Sequence, residues 1–307
     1  MWRWILKLFF HKDERGNFGD DLNESLWQHY IPNLEKIDST KNFVGIGTLL
    51  NHKLPKGNKI IFGSGYGYGQ VPIVDKAWEF FAVRGPKTAE ILKIDKKFSI
   101  TDPAILLGDF YENKNKKTTK IGFIPHSLSC YYGDWKEVCN SLGIELIDPC
   151  LSVEEFLAKL SKCESVICEA MHGAIAADAL RIPWKPIAIY PFIFDFKWHD
   201  WTNSLNMEYK PTSVSPIWHV QRHYNTKQHL TYQFKKTLKS IGIWSKAFSE
   251  LPEIKSTQQE VDLTTLQIRS IIENDNTYYL SADNTHHDKI NQYKEVFEKF
   301  NSKYILK

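Results

Sequence analysis

The sequence predicts an α/β protein built from two successive doubly wound halves with a helical C-terminal tail. Three observations carry that expectation. Short β-branched and aromatic runs alternate with amphipathic helical segments through about the first 190 residues. At 307 residues the chain exceeds the usual size of a single core. A charged stretch of low hydrophobicity, Gly108 to Lys120, reads as a linker, which sets expected domains of 1–115 and 116–307.

Each element has a local reason. The apolar start, 1–10, is too short and too charged to span a bilayer and reads as a first buried strand, with a tryptophan-rich interfacial contact as the alternative. Arg15 to Asn23 is a glycine-bearing turn whose Asn and Asp side chains can cap a helix over Leu22 to Tyr30. Phe43 to Gly47, Lys59 to Phe62 and Phe80 to Val83 read as buried strands, and Pro86 suits the first turn of a helix. Ser99 to Ala104 reads as one more strand end. The second half restarts with strands at Lys120 to Ile124 and Glu145 to Ile147, and helices at Trp135 to Leu142 and Val153 to Leu160. A βαβ unit follows: Ser165 to Cys168, an alanine-rich helix over Ala174 to Leu180, and Ile187 to Tyr190. The aromatic cluster from Phe192 to Trp201 has no regular period and reads as a sugar-stacking wall or an aromatic subcore. Amphipathic helices are expected over Gln258 to Ile272 and Asp288 to Phe300.

Composition excludes several classes. A net charge of +3 is too small to imply a nucleic-acid partner. Five cysteines without a C-x-x-C pair fit reduced thiols in a cytoplasmic protein better than a disulfide frame or zinc site, so no metal is expected.

The chemistry concentrates at strand ends. His172 and Gly173 fall where a strand gives way to a helix, a place whose free N–H groups and dipole favour an anion. His126 occupies a comparable strand end. Arg84 and Lys87 flank a helix start and could grip phosphate or carboxylate, and the glycine-rich loop around Gly65 follows a strand where open α/β sheets bind ligands.

Taken in order, Gly16-Asn17-Phe18-Gly19-Asp20, Val83-Arg84-Gly85-Pro86, Asp102-Pro103-Ala104, Pro125-His126 and Glu169-Ala170-Met171-His172-Gly173 resemble the polysaccharide pyruvyl transferase family. Lys197-Trp198-His199-Asp200-Trp201 resembles its succinoglycan- and xanthan-type exopolysaccharide branch. The resemblance covers about 14–205. It implies two facing Rossmann-like domains, similar to GT-B glycosyltransferases, and transfer of pyruvate from phosphoenolpyruvate to a sugar as a ketal. It needs no cofactor beyond the donor and no metal. The expected catalytic groups are His172, Glu169 and His126. Donor contacts are expected from Arg84, Lys87, Gly173, Gly65 and Asn17, and acceptor contacts from Trp198, Asp200 and Trp201. Many relatives carry arginine where this chain has Ala170, so Arg84, Lys87 or another basic residue must take a larger share of anion binding. The expected acceptor is a sugar, free or on a lipid-linked oligosaccharide, and the expected location is cytoplasmic, with peripheral contact at the inner membrane face as a further expectation. A GT-B glycosyltransferase using a nucleotide-sugar donor is the alternative, and a non-catalytic glycan-binding module is a third reading.

Overall fold

The computed structural model describes residues 7–32, 34, 40–111, 116–219, 255–274 and 277–305, with 230–231, 233–235 and 237–238 besides. The first six residues of the expected N-terminal strand, with Trp2 and Trp4, and 112–115 of the expected linker lie outside the described residues.

The first half is a four-stranded parallel sheet in the order β1-β2-β3-β4, formed by β1 (Lys7–Phe9), β2 (Lys41–Val44), β3 (Asn58–Phe62) and β4 (Trp78–Ala82). Helix α1 (Phe18–Tyr30) buries Leu22, Leu26 and Trp27, and α2 (Pro86–Ile91) begins at the proline, whose missing N–H has no intrahelical role there. Residues 99–104 make only a bridge from Ser99 to Val83; Asp102 then caps a 3-10 turn over Pro103–Leu106, so no full strand forms. The opening of the expected linker is helical, as α3 (Leu107–Phe110).

The second half is a five-stranded parallel sheet, β6-β5-β7-β8-β9. Its strands are β5 (Thr119–Ile124), β6 (Glu145–Leu146), β7 (Cys163–Cys168), β8 (Trp184–Ala188) and β9 (Thr212–Ser213), and its helices are α4 (Ser127–Tyr132), α5 (Trp135–Leu142), α6 (Val153–Leu160), α7 (Met171–Ala179) and α8 (Asp195–Ser204). β8 starts three residues before the expected strand and contains Pro186. β9 pairs only with Ile187 and Ala188, so on that flank the proline interrupts no ladder. All five cysteines are free.

The aromatic cluster after Tyr190 proves partly helical. On α8, Trp198 and Trp201 are 0% and 1% exposed and pack with Trp184 and Tyr209. The subcore explanation therefore holds for both tryptophans, and neither presents an open ring face to a sugar.

The halves share one apolar core, because α1 of the first packs against α6 and α7 of the second. Phe18 stacks on Phe156 with centroids 3.9 Å apart. The helical tail divides between the halves. Helix α9 (Gln258–Asn274) lies against α5, whereas α10 (Asp283–Tyr304) returns to the first sheet. There Phe297 stacks on Tyr30 at 4.9 Å and on Phe62 at 5.2 Å, and the Tyr293 hydroxyl donates to the Thr101 carbonyl at 2.6 Å. Among the described residues no helix is long and apolar enough to cross a membrane.

Candidate active site

A cleft of about 660 Å³ opens where the two halves meet. The first half contributes Arg15, Asn17, Gly19, Asp20, Thr48 and Tyr68, among others. From the second come His126, Ala170, His172, Gly173 and Lys197. Of the site residues expected from sequence, the structure brings His172, His126, Gly173 and Asn17 together here.

His172 sits in the first turn of α7. The N-cap of that helix, Ala170, supplies no side-chain cap, so the first N–H groups lack intrahelical partners, and Ala170 to Gly173 line the cleft. Gly173 allows α7 to lie against β5, since a Cβ there would stand 2.7 Å from the Ile124 Cγ2. The His172 ring is wedged between the two halves. Its Nε2 is 3.6 Å from the Asp102 Oδ2, and both atoms are buried without a hydrogen-bond partner. Asp102 is fixed by its cap, in which the Ala104 N–H donates to Oδ1 at 3.0 Å. Nδ1 lies on the opposite side, against Gly19 of α1. The arrangement is an imidazole with a buried carboxylate behind it, one small shift short of a hydrogen bond.

Asp20, also on α1, accepts from the Asn17 side-chain amide at 2.6 Å and is 8% exposed. Burial pushes its carboxyl up to about 6, while His172, His11 and Lys197 nearby hold it from rising further. His126 caps α4, its Nδ1 accepting from the Leu128 N–H at 3.2 Å. Burial, then the charges of Lys197, Arg15 and His172, push its pKa down to about 3. With Nδ1 occupied as acceptor, the neutral ring carries its proton on Nε2, so at neutral pH His126 is a hydrogen-bond donor and not a base.

The remaining expected site residues lie behind the cleft. Arg84 is fully buried; Nε donates to Asp200 Oδ2 at 3.0 Å, and the terminal nitrogens to the Thr48 hydroxyl at 2.8 Å and the Tyr66 carbonyl at 2.6 Å. Asp200 also accepts from the Thr88 N–H and hydroxyl, at 2.9 and 2.5 Å. Both side chains are therefore engaged, and they tie α8 to the first half rather than meeting donor or acceptor. Gly65 packs against the Arg84 guanidinium, and Lys87 is half-buried on α2 away from the cleft lining. Glu169 is fully buried and accepts from the N–H groups of His126 at 3.0 Å and of Ile189 and Tyr190 at 3.2 Å each. Burial raises its pKa despite those donors. It knits the ends of β5, β7 and β8, and holds His126 in place through the backbone.

Sequence reasoning missed Asp20 and Asp102 as site residues, although both stood inside quoted motifs. Asp102 is read locally as a cap, and its approach to a histidine 70 positions away has no local signal. Lys197 was missed too: its neighbours Trp198 and Asp200 drew attention, whereas the lysine faces the cleft. Among the described residues no group of three or more His, Cys, Asp or Glu side chains could hold a metal ion.

A family description, polysaccharide pyruvyl transferase, matches residues 17–189, which include Asn17, Asp20, Arg84, Asp102, His126, Glu169 and His172. The succinoglycan biosynthesis protein ExoV of Rhizobium meliloti (strain 1021) is 37% identical over 214 residues, 68% of this chain and 68% of that protein. No solved structure matches the chain. With more than half of its length matched to the family and a relative of this identity over two-thirds of both chains, the protein belongs to the polysaccharide pyruvyl transferase family.

Proposed function

We propose that the cleft transfers the pyruvyl group of phosphoenolpyruvate onto two hydroxyls of one sugar in an exopolysaccharide or its lipid-linked precursor. The observation that carries this reading is the placement of His172 at an uncapped helix start, backed by Asp102, in a cleft shared by both halves. The similarity to a succinoglycan biosynthesis protein supports the acceptor class. On this reading the two parallel sheets are the facing Rossmann-like halves of a GT-B-like transferase, divided near 115.

The chemistry balances without a redox step or a metal. A proton adds to the donor's methylene carbon, which becomes the methyl group, and C2 becomes oxocarbenium-like. One sugar hydroxyl attacks C2, phosphate departs, and the neighbouring hydroxyl closes the ketal. Of the two hydroxyl protons released, one balances the new methyl and the other leaves on phosphate. On this reading the His172 imidazole passes protons in the cleft, with Asp102 orienting the ring from the Nε2 side. Asp20, whose raised pKa suits proton exchange near neutrality, stands beside it. The Nε2–H of neutral His126 can donate to an acceptor oxygen. With the tryptophans buried, Tyr68, which lines the cleft, and its neighbour Phe194, 42% and 39% exposed with centroids 5.6 Å apart, offer ring faces to a sugar.

The test is incubation with phosphoenolpyruvate and a panel of exopolysaccharide-derived acceptors, reading phosphate release and a ketal product. His172→Ala should lower turnover about 100-fold or more. Glycosyl transfer from a uridine nucleotide sugar, with phosphoenolpyruvate inert, would overturn the proposal in favour of a glycosyltransferase.

A further inference from the structure

We propose that Lys197 is the side-chain cation that receives the anionic group of the donor, the role left open by alanine at 170. The inference rests on the donor reading above and deepens it.

Four flexible cations line the cleft, and three are already accounted for. Arg15 is held by Asp13, with its guanidinium 2.9 Å from Oδ2; Lys12 lies 3.5 Å from Glu24; Lys53 is solvent-exposed. Lys197 differs in kind. The residue is 8% exposed, yet among the described residues no carboxylate lies within 4.0 Å of its ammonium and no acceptor takes its protons. Its Nζ lies over the Tyr68 ring, 5.5 Å from the centroid. Its stem is buried while its head, lining the cleft, has no counter-charge, so the ammonium is available to an anion that enters there. The helix start of α7, with His172 and Gly173, lines the same cleft. An ammonium and a helix N-terminus converging on one space form an anion site for phosphate or carboxylate.

The fold also explains how a flexible side chain is held there. Lys197 and Asp200 are three residues apart on α8 and so lie on one face. Asp200 is anchored to Arg84 and Thr88 of the first half. On the other flank, Trp198 and Trp201 anchor the helix in the second-half core. The helix carrying the lysine is thus pinned from both sides, and the buried Arg84 acts as its positioning residue.

The experiment compares wild type, Lys197→Met and Lys197→Arg for binding of phosphoenolpyruvate and of inorganic phosphate by titration calorimetry, with thermal unfolding to confirm that each variant folds. Lys197→Met should weaken phosphoenolpyruvate binding about 30-fold or more, the scale of one charge-assisted contact, and weaken phosphate in parallel. Lys197→Arg should restore most of the affinity, which a merely structural role for the stem would not require. Equal donor binding in wild type and Lys197→Met would overturn this assignment and leave the donor reading intact. Wild type that binds no phosphoenolpyruvate would instead overturn the donor reading, and the assignment with it.

Discussion

Gly19→Ala is the sharpest probe of the cleft. The added Cβ would stand 2.7 Å from the His172 Cβ, and closer still to its Cγ and Nδ1. Favourable contacts begin near 3.5 Å and the Nδ1 approach would be 1.9 Å, so the imidazole or α1 must give way by about 1.5 Å. Backbone strain plays no part, since Gly19 is helical and outside the left-handed region, and alanine is intrinsically the better helix former. The loss is therefore steric. Overpacking of this kind costs about 1–3 kcal/mol of stability, and a 1 Å misplacement of a reacting group can cost about 100-fold in rate. The assay reads phosphate released from phosphoenolpyruvate with an acceptor present, alongside urea unfolding. In a His172→Gly background the stability cost of Gly19→Ala should fall sharply, because its steric partner is gone. Wild-type turnover and stability in Gly19→Ala would refute the placement of His172 between the halves.

Three further outcomes follow from the geometry. Arg84→Met should destabilise the protein by about 3–5 kcal/mol in chemical unfolding by stranding the Asp200 carboxylate, and Arg84→Met with Asp200→Leu should recover much of it; an Arg84→Met protein of unchanged stability would contradict the buried pair. Asp102→Asn should lower turnover about tenfold or more with little change in donor affinity, checked by separating kcat from KM, and unchanged kcat would remove Asp102 from the site. Asp20 gives a pH signature: its folded pKa of about 6 lies above the ordinary 3.8, so the stability it confers is full below pH 4 and lost as pH rises through 6, about 3 kcal/mol in all. Asp20→Asn should lack that loss, and parallel pH–stability curves for the two proteins would exclude the raised pKa.

The parts of the molecule written in local pattern were legible in the sequence. The βαβ unit around His172 forms because an apolar run, small helix residues and Pro183 each act within a few positions. Asn17, His126, His172 and Gly173 share the cleft because each stands at a turn beside a strand or helix end. What stayed hidden depends on pairs distant in the chain. Arg84 looks like a free guanidinium until Asp200, 116 positions on, is folded against it. Trp198 and Trp201 look available to a sugar because their helical spacing is short and amid irregular aromatic residues; only packing on Trp184 decides which way they face. Lys197 could have been found by the reverse logic, since a lysine flanked by buried tryptophans on a short helix is itself bound for the interior.

The return of α10 to the first sheet sets a timetable for synthesis. Its Tyr293, Phe297 and Phe300 complete the aromatic layer over Phe43 and Phe62, so strands made early face a core whose last members are translated more than 230 residues later. At about 5–20 residues per second, the nascent Phe43 and Phe62 strands must wait roughly 12–50 seconds with an apolar face uncovered. Chaperone occupancy during that interval should concentrate on the Phe43 and Phe62 strands.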